Sequence, residues 1–261
     1  MKPLVVISEQ NPASQNIKSA LLQMESFEEK EAGFWASHDF DMAQYGGSIV
    51  DIVPAHDAKY YIFASTHRSA SGAPSLTVQT PGNWGAADLG GAARTLNIAY
   101  AAKVKSIAQT LSRLCPQLPG WQVSVEVDHH GPSLSKPVLF AEIGSGEKEW
   151  GVPLAGRIVA QAIVEAVQSK ETWPAYVGFG GTHYAPKFTP MIIGSQIALG
   201  HIISGYALER NGCDEQMIAQ AIERCVEKPE GALVDWKGIK KGPKGALIAA
   251  LETAGVEWKK A

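Results

Sequence analysis

The sequence predicts an α/β fold of three layers, in which a mostly parallel or mixed sheet is flanked by helices. Short apolar runs of strand length alternate with longer segments whose apolar residues recur every three or four positions. Several of the strand-like runs end in polar, glycine-rich loops, as strands do at the carboxyl edge of a parallel sheet. No internal repeat or linker interrupts the chain. We therefore expect a single domain over residues 1–261.

The first elements are a buried strand, a short helix and a second buried strand. Leu4–Ser8 is a continuous apolar run that ends in polar residues, which is typical of a strand covered on both faces. Apolar residues at helical spacing over residues 17–24 follow the capping residue Asn11 and predict a helix. The apolar run 60–64 predicts a strand that leads directly into a polar segment with His67.

A long loop, a long helix and an alternating strand follow. Residues 69–91 are dense in Ser, Gly and Pro, which predicts a loop, with one short strand at 76–79. Residues 92–114 carry apolar residues at helical spacing, and Pro116 stops the pattern. Residues 123–127 alternate valines with polar residues and predict a strand.

The rest of the chain continues the alternation. The expected elements are, in order, strand 137–143, helix 150–167, strand Ala175–Phe179, helix 191–208, helix 215–226, strand Ala232–Val234 and helix 244–253.

Composition and charge restrict the function. Hydrophobic residues make up 45% and charged residues 19%, and the formal net charge is -3, so bulk electrostatic binding of DNA is not expected. Residues 236–261 carry six lysines against two glutamates, a net charge of +4, while the other 235 residues carry -7. Such a run is most often a solvated face, and the alternative is a phosphate-binding edge formed by Lys237, Lys240, Lys241 and Lys244.

The N-terminus and the cysteines point to a cytoplasmic protein. The apolar run at Leu4 is too short for a signal peptide or a membrane span, so neither secretion nor membrane insertion is expected. The cysteines Cys115, Cys213 and Cys225 are far apart and form no CxxC pair, so we expect reduced thiols and no cysteine-ligated metal.

Four loops at strand ends carry titratable side chains. They contribute His67, then Glu126 with His129 and His130, then Glu142, then His183. Because the carboxyl ends of parallel strands open onto one crevice, these residues are expected to converge. Imidazoles with one or two carboxylates are what a catalytic zinc ion requires, although any single histidine more often serves a structural purpose.

Other motifs carry less weight. GFGGTHYAP, at residues 178–186, follows a strand but matches no nucleotide-binding fingerprint, so Gly180 and Gly181 either offer backbone amides to an oxyanion or form a tight turn. Neither HExxH nor GxSxG occurs. His201 lies in the predicted helix 191–208, where it is either a core residue or an outer member of the site.

The ordered motifs resemble those of the D-aminoacyl-tRNA deacylases of archaeal and plant type. The matching segments are FASTHRSASGAPSLTVQTPGNW at 63–84, EVDHHGPSLSKPVLFAEIGSGEKEW at 126–150, GFGGTHYAPKFT at 178–189, GHI at 200–202 and DWKG at 235–238. The resemblance implies a fold akin to peptidyl-tRNA hydrolase and nucleoside phosphorylase, and zinc-dependent hydrolysis of D-aminoacyl-tRNA. Asp128, before the histidine pair, stands where the family pattern has threonine, so its role is open.

With this resemblance, the residues suggest a mechanism. One or two zinc ions held by His129, His183 and a carboxylate, Glu142 or Glu126, would activate a water for attack on the ester. The remaining proposed roles are proton transfer by His67 or His130, oxyanion binding by Gly180 and Gly181, and tRNA contact by the four lysines. A monomer is expected. The alternatives are a metal-dependent peptidase or nucleoside phosphorylase on the same scaffold, and a noncatalytic tRNA- or nucleotide-binding protein.

Overall fold

The computed structural model describes residues 1–261 as strands and helices in alternation. The strands are β1 Leu4–Ser8, β2 Glu28–Glu31, β3 Phe34–Ala36, β4 Asp41–Tyr45, β5 Tyr61–Thr66, β6 Ser75–Gln79, β7 Gly82–Asn83, β8 Thr95–Leu96, β9 Gln122–Val125, β10 Val138–Gly144, β11 Ala175–Phe179, β12 Ala198–Ile203, β13 Ala232–Val234 and β14 Trp258–Lys260. The α-helices are α1 Pro12–Met24, α2 Ala101–Leu114, α3 Glu147–Trp150, α4 Pro153–Gln168, α5 Phe188–Gly194, α6 Gly205–Asn211, α7 Glu215–Glu223 and α8 Lys241–Thr253.

The larger sheet has eight strands in the order β2-β3-β4-β1-β5-β10-β6-β9. Its centre is parallel, because β1 pairs in parallel with β4 and β5, and β5 pairs in parallel with β10. The β2-β3-β4 edge and the β10-β6 pair are antiparallel. All five residues of β1 are buried, as its unbroken apolar sequence predicts for a strand covered on both faces.

The smaller sheet has four parallel strands in the order β12-β11-β13-β14. A second apolar core joins it to helices α6, α7 and α8, with Phe179 and Val234 from the strands packing with Leu208, Ile218 and Leu251 from the helices. On its other side, β12 packs against α2, which also packs against α4.

The segment after β9 links the two sheets. The Val127 amide donates to the His183 carbonyl at 3.0 Å, and the Asp128 amide donates to the Ile202 carbonyl at 2.8 Å. These bonds join the two sheets at one junction. The ends of β5 and β10, from the larger sheet, and the end of β11, from the smaller sheet, lie at this junction. This junction holds the predicted site residues.

The predicted fold class is confirmed: the protein is a mixed α/β structure with multi-stranded sheets flanked by helices. The strands form two principal sheets. None of the helices combines the length and the apolar character needed to cross a bilayer.

The predicted helix over 191–208 is wrong. The segment holds the end of α5, then β12, then the start of α6. All six residues of β12 are buried, and a fully buried strand shows no polar face that would distinguish it from a buried helix. His201 therefore lies in a strand, not in a helix.

Other elements also differ from the predictions. Helix α2 begins at Ala101 rather than at 92, because the preceding residues include β8, which pairs with β7. The edge strands β2, β3 and β4 were not predicted, and β2 is fully exposed, with a sequence EEKE that lacks an apolar face.

Candidate active site

The carboxylate of Glu126 is the centre of the site. Glu126 immediately follows β9 and is 1% exposed. The nearest imidazole nitrogens are His183 Nε2 at 2.7 Å, His67 Nδ1 at 3.0 Å and His129 Nε2 at 3.7 Å from its oxygens. Although these contacts are short, neither carboxylate oxygen has a correctly oriented hydrogen-bond partner, and both are fully buried. The centre therefore contains a buried carboxylate that is not satisfied by hydrogen bonds.

Each of the three imidazoles has a partner at its other nitrogen. His129 Nδ1 donates to the Val127 carbonyl at 2.8 Å, which leaves Nε2 unprotonated when the ring is neutral. His67 Nε2 lies 3.0 Å from the Tyr184 hydroxyl, and His183 Nδ1 lies 3.5 Å from the Tyr206 hydroxyl. Contacts of this kind orient a histidine so that its inner nitrogen can bind a metal ion.

Three strand ends supply these rings. His67 follows β5, His129 lies after β9, and His183 lies in the loop after β11. The backbone between His129 and Gly131 turns sharply, because His130 has a φ of +51°, in the left-handed region that residues with a side chain rarely adopt. This turn separates the directions of the two adjacent histidines.

Burial and mutual charge set the protonation of the centre. Burial opposes ionisation of Glu126, but the contacts with His183 and His67 outweigh it and hold its pKa well below the usual range. Burial, reinforced by His130, lowers the pKa of His129 to about 3. For His67, burial lowers the pKa, but Glu126 more than compensates and raises it. His129 is therefore neutral at neutral pH, the form that binds metals.

Glu142 lies behind this centre. It is 3% exposed, and its Oε2 accepts hydrogen bonds from Thr77 Oγ1 at 3.2 Å and from Gln79 Nε2 at 3.5 Å. His67 Nδ1 is 3.9 Å from the same oxygen. Burial, and next the nearby charge of Glu126, raises the pKa of Glu142. Two buried carboxylates that approach the same His67 nitrogen require a proton or a cation to balance their charges.

The residues fit a metal ion. His67, Glu126 and His183 offer three ligand atoms that all lie within 4.8 Å of one another. The unsatisfied Glu126 oxygens and the inward imidazole nitrogens are the donor types that a zinc site uses. Of the metal ligands predicted from sequence, His183 is in this group. His129 Nε2 lies 3.7 Å from Glu126, and Glu142 lies outside the group, with its Oε2 3.9 Å from His67 Nδ1.

His130 faces another direction. Its Nδ1 donates to the Gly131 carbonyl, and its Nε2 accepts from Gln79 Nε2 at 3.0 Å. Burial lowers its pKa, so the ring is neutral. Both nitrogens are already occupied, and Gln79 Nε2 also donates to Glu142 Oε2 at 3.5 Å.

The prediction that the Gly180 and Gly181 amides bind an oxyanion is wrong for this structure. The Gly180 amide donates to the Ile203 carbonyl at 2.7 Å, and the Gly181 amide donates to the Gly238 carbonyl at 3.1 Å. Both glycines have positive φ angles, 108° and 84°, and a Cβ at Gly180 would lie 2.8 Å from the Asp235 carbonyl oxygen. They shape a tight turn.

Asp128 and His201 form a buried ion pair beside the centre. His201 is 0% exposed, and its Nδ1 donates to Asp128 Oδ2 at 2.5 Å while its Nε2 donates to the Arg224 carbonyl at 2.9 Å. Asp128 Oδ1 accepts from the Ile202 amide at 2.8 Å. Burial lowers the pKa of His201, but Asp128 outweighs this effect and raises it well above the usual value. The pair fixes the backbone next to His129.

Two tyrosines and a cavity were not identified from sequence. Tyr184 and Tyr206 contact the histidines, yet a tyrosine in a loop or an exposed helix carries no distinguishing pattern; the adjacency of Tyr184 to His183 was the available signal. A cavity of about 310 Å³ opens beside the centre, and its walls include His129, His183 and Tyr206.

The four candidate lysines, Lys237, Lys240, Lys241 and Lys244, lie in residues 237–244, the lysine segment, which contacts the loop after β11. The Gly238 carbonyl, in the middle of this segment, accepts the Gly181 amide. Lys240 pairs with Glu209 at 2.7 Å, and Lys244 lies over the Trp236 ring at 4.5 Å from its centroid. Lys237 and Lys241 are exposed.

The α/β scaffold gathers imidazoles and a buried carboxylate where two sheets meet, a set of donor groups of the type that metal-dependent hydrolases use. The family model described as D-aminoacyl-tRNA deacylase matches residues 54–259. The chain belongs to this family and is an ester hydrolase.

Similar proteins extend over nearly the whole chain. A D-aminoacyl-tRNA deacylase of Archaeoglobus fulgidus is 35% identical, with 97% of this chain and 94% of that protein covered. One of Thermococcus kodakarensis is 33% identical, with 98% of each covered. A crystal structure of a conserved protein of unknown function, AF0625, superposes with a TM-score of 0.92 at 33% identity, covering 99% of this chain and 95% of that one.

Proposed function

We propose that this protein hydrolyses the ester bond of D-aminoacyl-tRNA in the cytoplasm, releasing the D-amino acid and free tRNA. The observation that carries the proposal is the buried Glu126 carboxylate, which three imidazoles approach and no hydrogen bond satisfies. Family membership and the activity named for the relatives specify the substrate.

Zinc is the proposed cofactor, held by His67, Glu126 and His183, with His129 as the fourth nearby donor. When bound, such an ion supplies an acidified water and polarises the ester carbonyl. Three imidazole nitrogens and one carboxylate suit zinc better than magnesium or calcium, which prefer oxygen ligands. Glu142, whose pKa is raised by burial, is proposed to hold a proton behind His67.

The protein's own side chains orient the reaction. The Val127 carbonyl holds the His129 ring in one tautomer. When the Tyr184 hydroxyl oxygen accepts a hydrogen bond from His67 Nε2–H, its own O–H remains free to donate toward the oxygen of the departing ribose. The Gly180 and Gly181 amides, which are already bonded to backbone carbonyls, take no part in this step.

The lysine segment is the proposed contact for the tRNA backbone. Lys237 and Lys241 are exposed, and their segment adjoins the loop that carries His183 through the bond between Gly181 and Gly238. A local positive edge on a chain of net charge -3 concentrates phosphate binding beside the site.

The test is release of D-tyrosine from D-tyrosyl-tRNA, with L-tyrosyl-tRNA alongside, before chelation, after chelation and after zinc is returned. D-selective release that chelation abolishes and zinc restores supports the reaction and the cofactor together. His183→Ala is expected to lose bound zinc and activity together, because it removes one ligand. His38→Ala is the matched control, because His38 is an exposed histidine paired with Asp39 in the loop between β3 and β4.

The outcomes separate the parts of the proposal. If D-selective release continues after complete metal removal, the assignment of the substrate stands and the proposed zinc centre is rejected. Full zinc content and activity in His183→Ala reject the ligand set. No release from either tRNA rejects the function, and consumption of phosphate or of a free peptide would then identify the phosphorylase or peptidase reaction.

A further inference from the structure

The cavity beside the histidine centre is also lined by Arg210, which the hydrolytic step does not use. It has a volume of about 310 Å³, at the small end of the range for ligand pockets. His129, His130 and His183 form its inner wall, and Tyr206 and Arg210 of α6 lie on another wall. Whatever the cavity binds is therefore adjacent to the reacting ester.

Helix α6 presents an aromatic ring and a cation toward this space. Tyr206 and Arg210 are four residues apart, so they lie on the same face of the helix, and both line the cavity. The Tyr206 residue is 41% exposed, and Leu89, which also lines the cavity, is 62% exposed. These apolar surfaces next to a polar centre are suited to the face of a planar base.

Arg210 has no charged partner within the protein. It is exposed, it is the one Lys or Arg on the cavity wall, and it takes part in no ion pair. Its neighbour Glu209 is already paired with Lys240 at 2.7 Å. Asp88 and Asp128 also line the cavity, and Asp128 is already paired with His201. Because a carboxylate repels an anion, Arg210 is the one place on the cavity wall that offers an anion a positive charge of Lys or Arg type. An anionic ligand is therefore expected at Arg210, with the planar fork of the guanidinium free to bind a phosphate.

We propose that this cavity receives the terminal nucleotide of the substrate, with its base against Tyr206 and its 5′ phosphate bound by Arg210. The inference rests on the proposed function and specifies which part of the nucleic acid is read. The ester and this phosphate belong to the same nucleotide, so a phosphate contact here holds the ester at the histidine centre. The ion pair between Glu209 and Lys240 connects helix α6 to the lysine segment, so the preceding nucleotides would extend from Arg210 toward these lysines.

The test uses two small substrates that differ by one phosphate. These are the D-tyrosyl ester of adenosine, on its ribose, and the same ester of adenosine 5′-monophosphate. For the unaltered protein we expect kcat/KM to be about tenfold higher for the phosphate-bearing ester, mainly through KM, because a charge-assisted contact of this kind changes affinity by about that factor. In Arg210→Ala the ratio of the two values is expected to fall to about one.

Two controls distinguish a phosphate contact from general damage. Arg157→Ala removes an exposed arginine of α4 that has no ion pair and lies away from the cavity, and it is expected to keep the full phosphate preference. Inhibition of D-tyrosyl-tRNA hydrolysis by adenosine and by adenosine 5′-monophosphate gives a binding readout for the same comparison. Tyr206→Phe is expected to retain both inhibitors, and Tyr206→Ala to weaken both alike.

Equal kcat/KM for the two esters, or a phosphate preference that survives Arg210→Ala, overturns the assignment while leaving the deacylase reaction intact. The absence of hydrolysis of D-tyrosyl-tRNA itself rejects the proposed function instead. If the protein hydrolyses D-tyrosyl-tRNA but neither small ester, the KM for D-tyrosyl-tRNA is compared instead. A KM that is unchanged in Arg210→Ala overturns the assignment, and a KM raised about tenfold supports the assignment.

Discussion

Replacing Asp128 by alanine is expected to destabilise the protein strongly, although Asp128 is not one of the proposed metal ligands. Asp128 accepts hydrogen bonds from the His201 ring and from the Ile202 amide, and His201 is fully buried. The alanine variant leaves a buried imidazole and a buried amide without their acceptor. It also removes the charge that keeps His201 protonated.

The magnitude follows from this geometry. Removing one partner of a buried ion pair costs about 3–5 kcal/mol, because the remaining group stays desolvated without compensation. Asp128→Asn is expected to cost only about 1–2 kcal/mol, since its amide oxygen can still accept from Ile202 and its NH2 group can donate to a neutral His201 ring. The His201 Nε2 proton keeps its bond to the Arg224 carbonyl in that case.

Urea unfolding, followed by circular dichroism on metal-free protein, measures both variants against the parent. The parent and Asp128→Asn are also compared between about pH 6 and pH 9. The pKa of His201 is higher in the folded protein than its value of about 6.5 in the unfolded chain. The ion pair therefore contributes its full stabilisation below about pH 6.5 and loses it as the pH rises through the pKa of the folded protein. The difference in unfolding free energy between them should therefore shrink with rising pH. An alanine variant with the parent's urea midpoint, or a difference independent of pH, would refute the buried ion pair.

Two further predictions concern the active site and the tRNA edge. Tyr184→Phe is expected to lower kcat by about ten- to a hundredfold with zinc content unchanged, because the variant lacks the hydroxyl at His67 Nε2 but keeps the ring. Steady-state kinetics and metal analysis of the variant measure both quantities. An unchanged kcat would remove Tyr184 from the mechanism. Alanine substitution of Lys237 and Lys241 is expected to weaken the salt dependence of tRNA binding while zinc content is retained. The slope of log affinity against log salt concentration should fall in magnitude by about one for each phosphate that these lysines neutralise. An unchanged slope would show that these lysines are only a solvated face.

The sequence predicted the fold class well where its patterns were local. β1 and β11 have the predicted bounds, and β6 lies within one residue of its predicted start, because unbroken apolar runs between polar loops are typical of buried strands. The exposed β2 and the fully buried β12 lacked an alternating pattern, so the first was not predicted and the second was assigned to a helix. Their strand pairing comes from neighbours that are distant in sequence.

The candidate site was predicted as a set of residues, without its arrangement. His67, Glu126, His129 and His183 were all selected because they follow strand ends, and the structure brings all four together. The sequence does not show which of Glu126 and Glu142 is central. Glu126 follows β9 and is surrounded by imidazoles, whereas Glu142 lies within β10 and accepts from Thr77, a difference that only the packing reveals. The cavity with Arg210 was not identified, since one exposed arginine in a helix resembles any other.

By itself, the sequence determined the succession of strands and loops and the chemical groups placed at the strand ends, because hydrophobic runs, glycines and prolines act on the chain within a few residues. Only the tertiary structure decided which imidazole nitrogens face Glu126, that the Gly180 and Gly181 amides are already bonded, and that Asp128 pairs with His201. Ring directions and hydrogen-bond partners depend on the register of strands from two sheets, and that register is set by contacts between residues far apart in the chain.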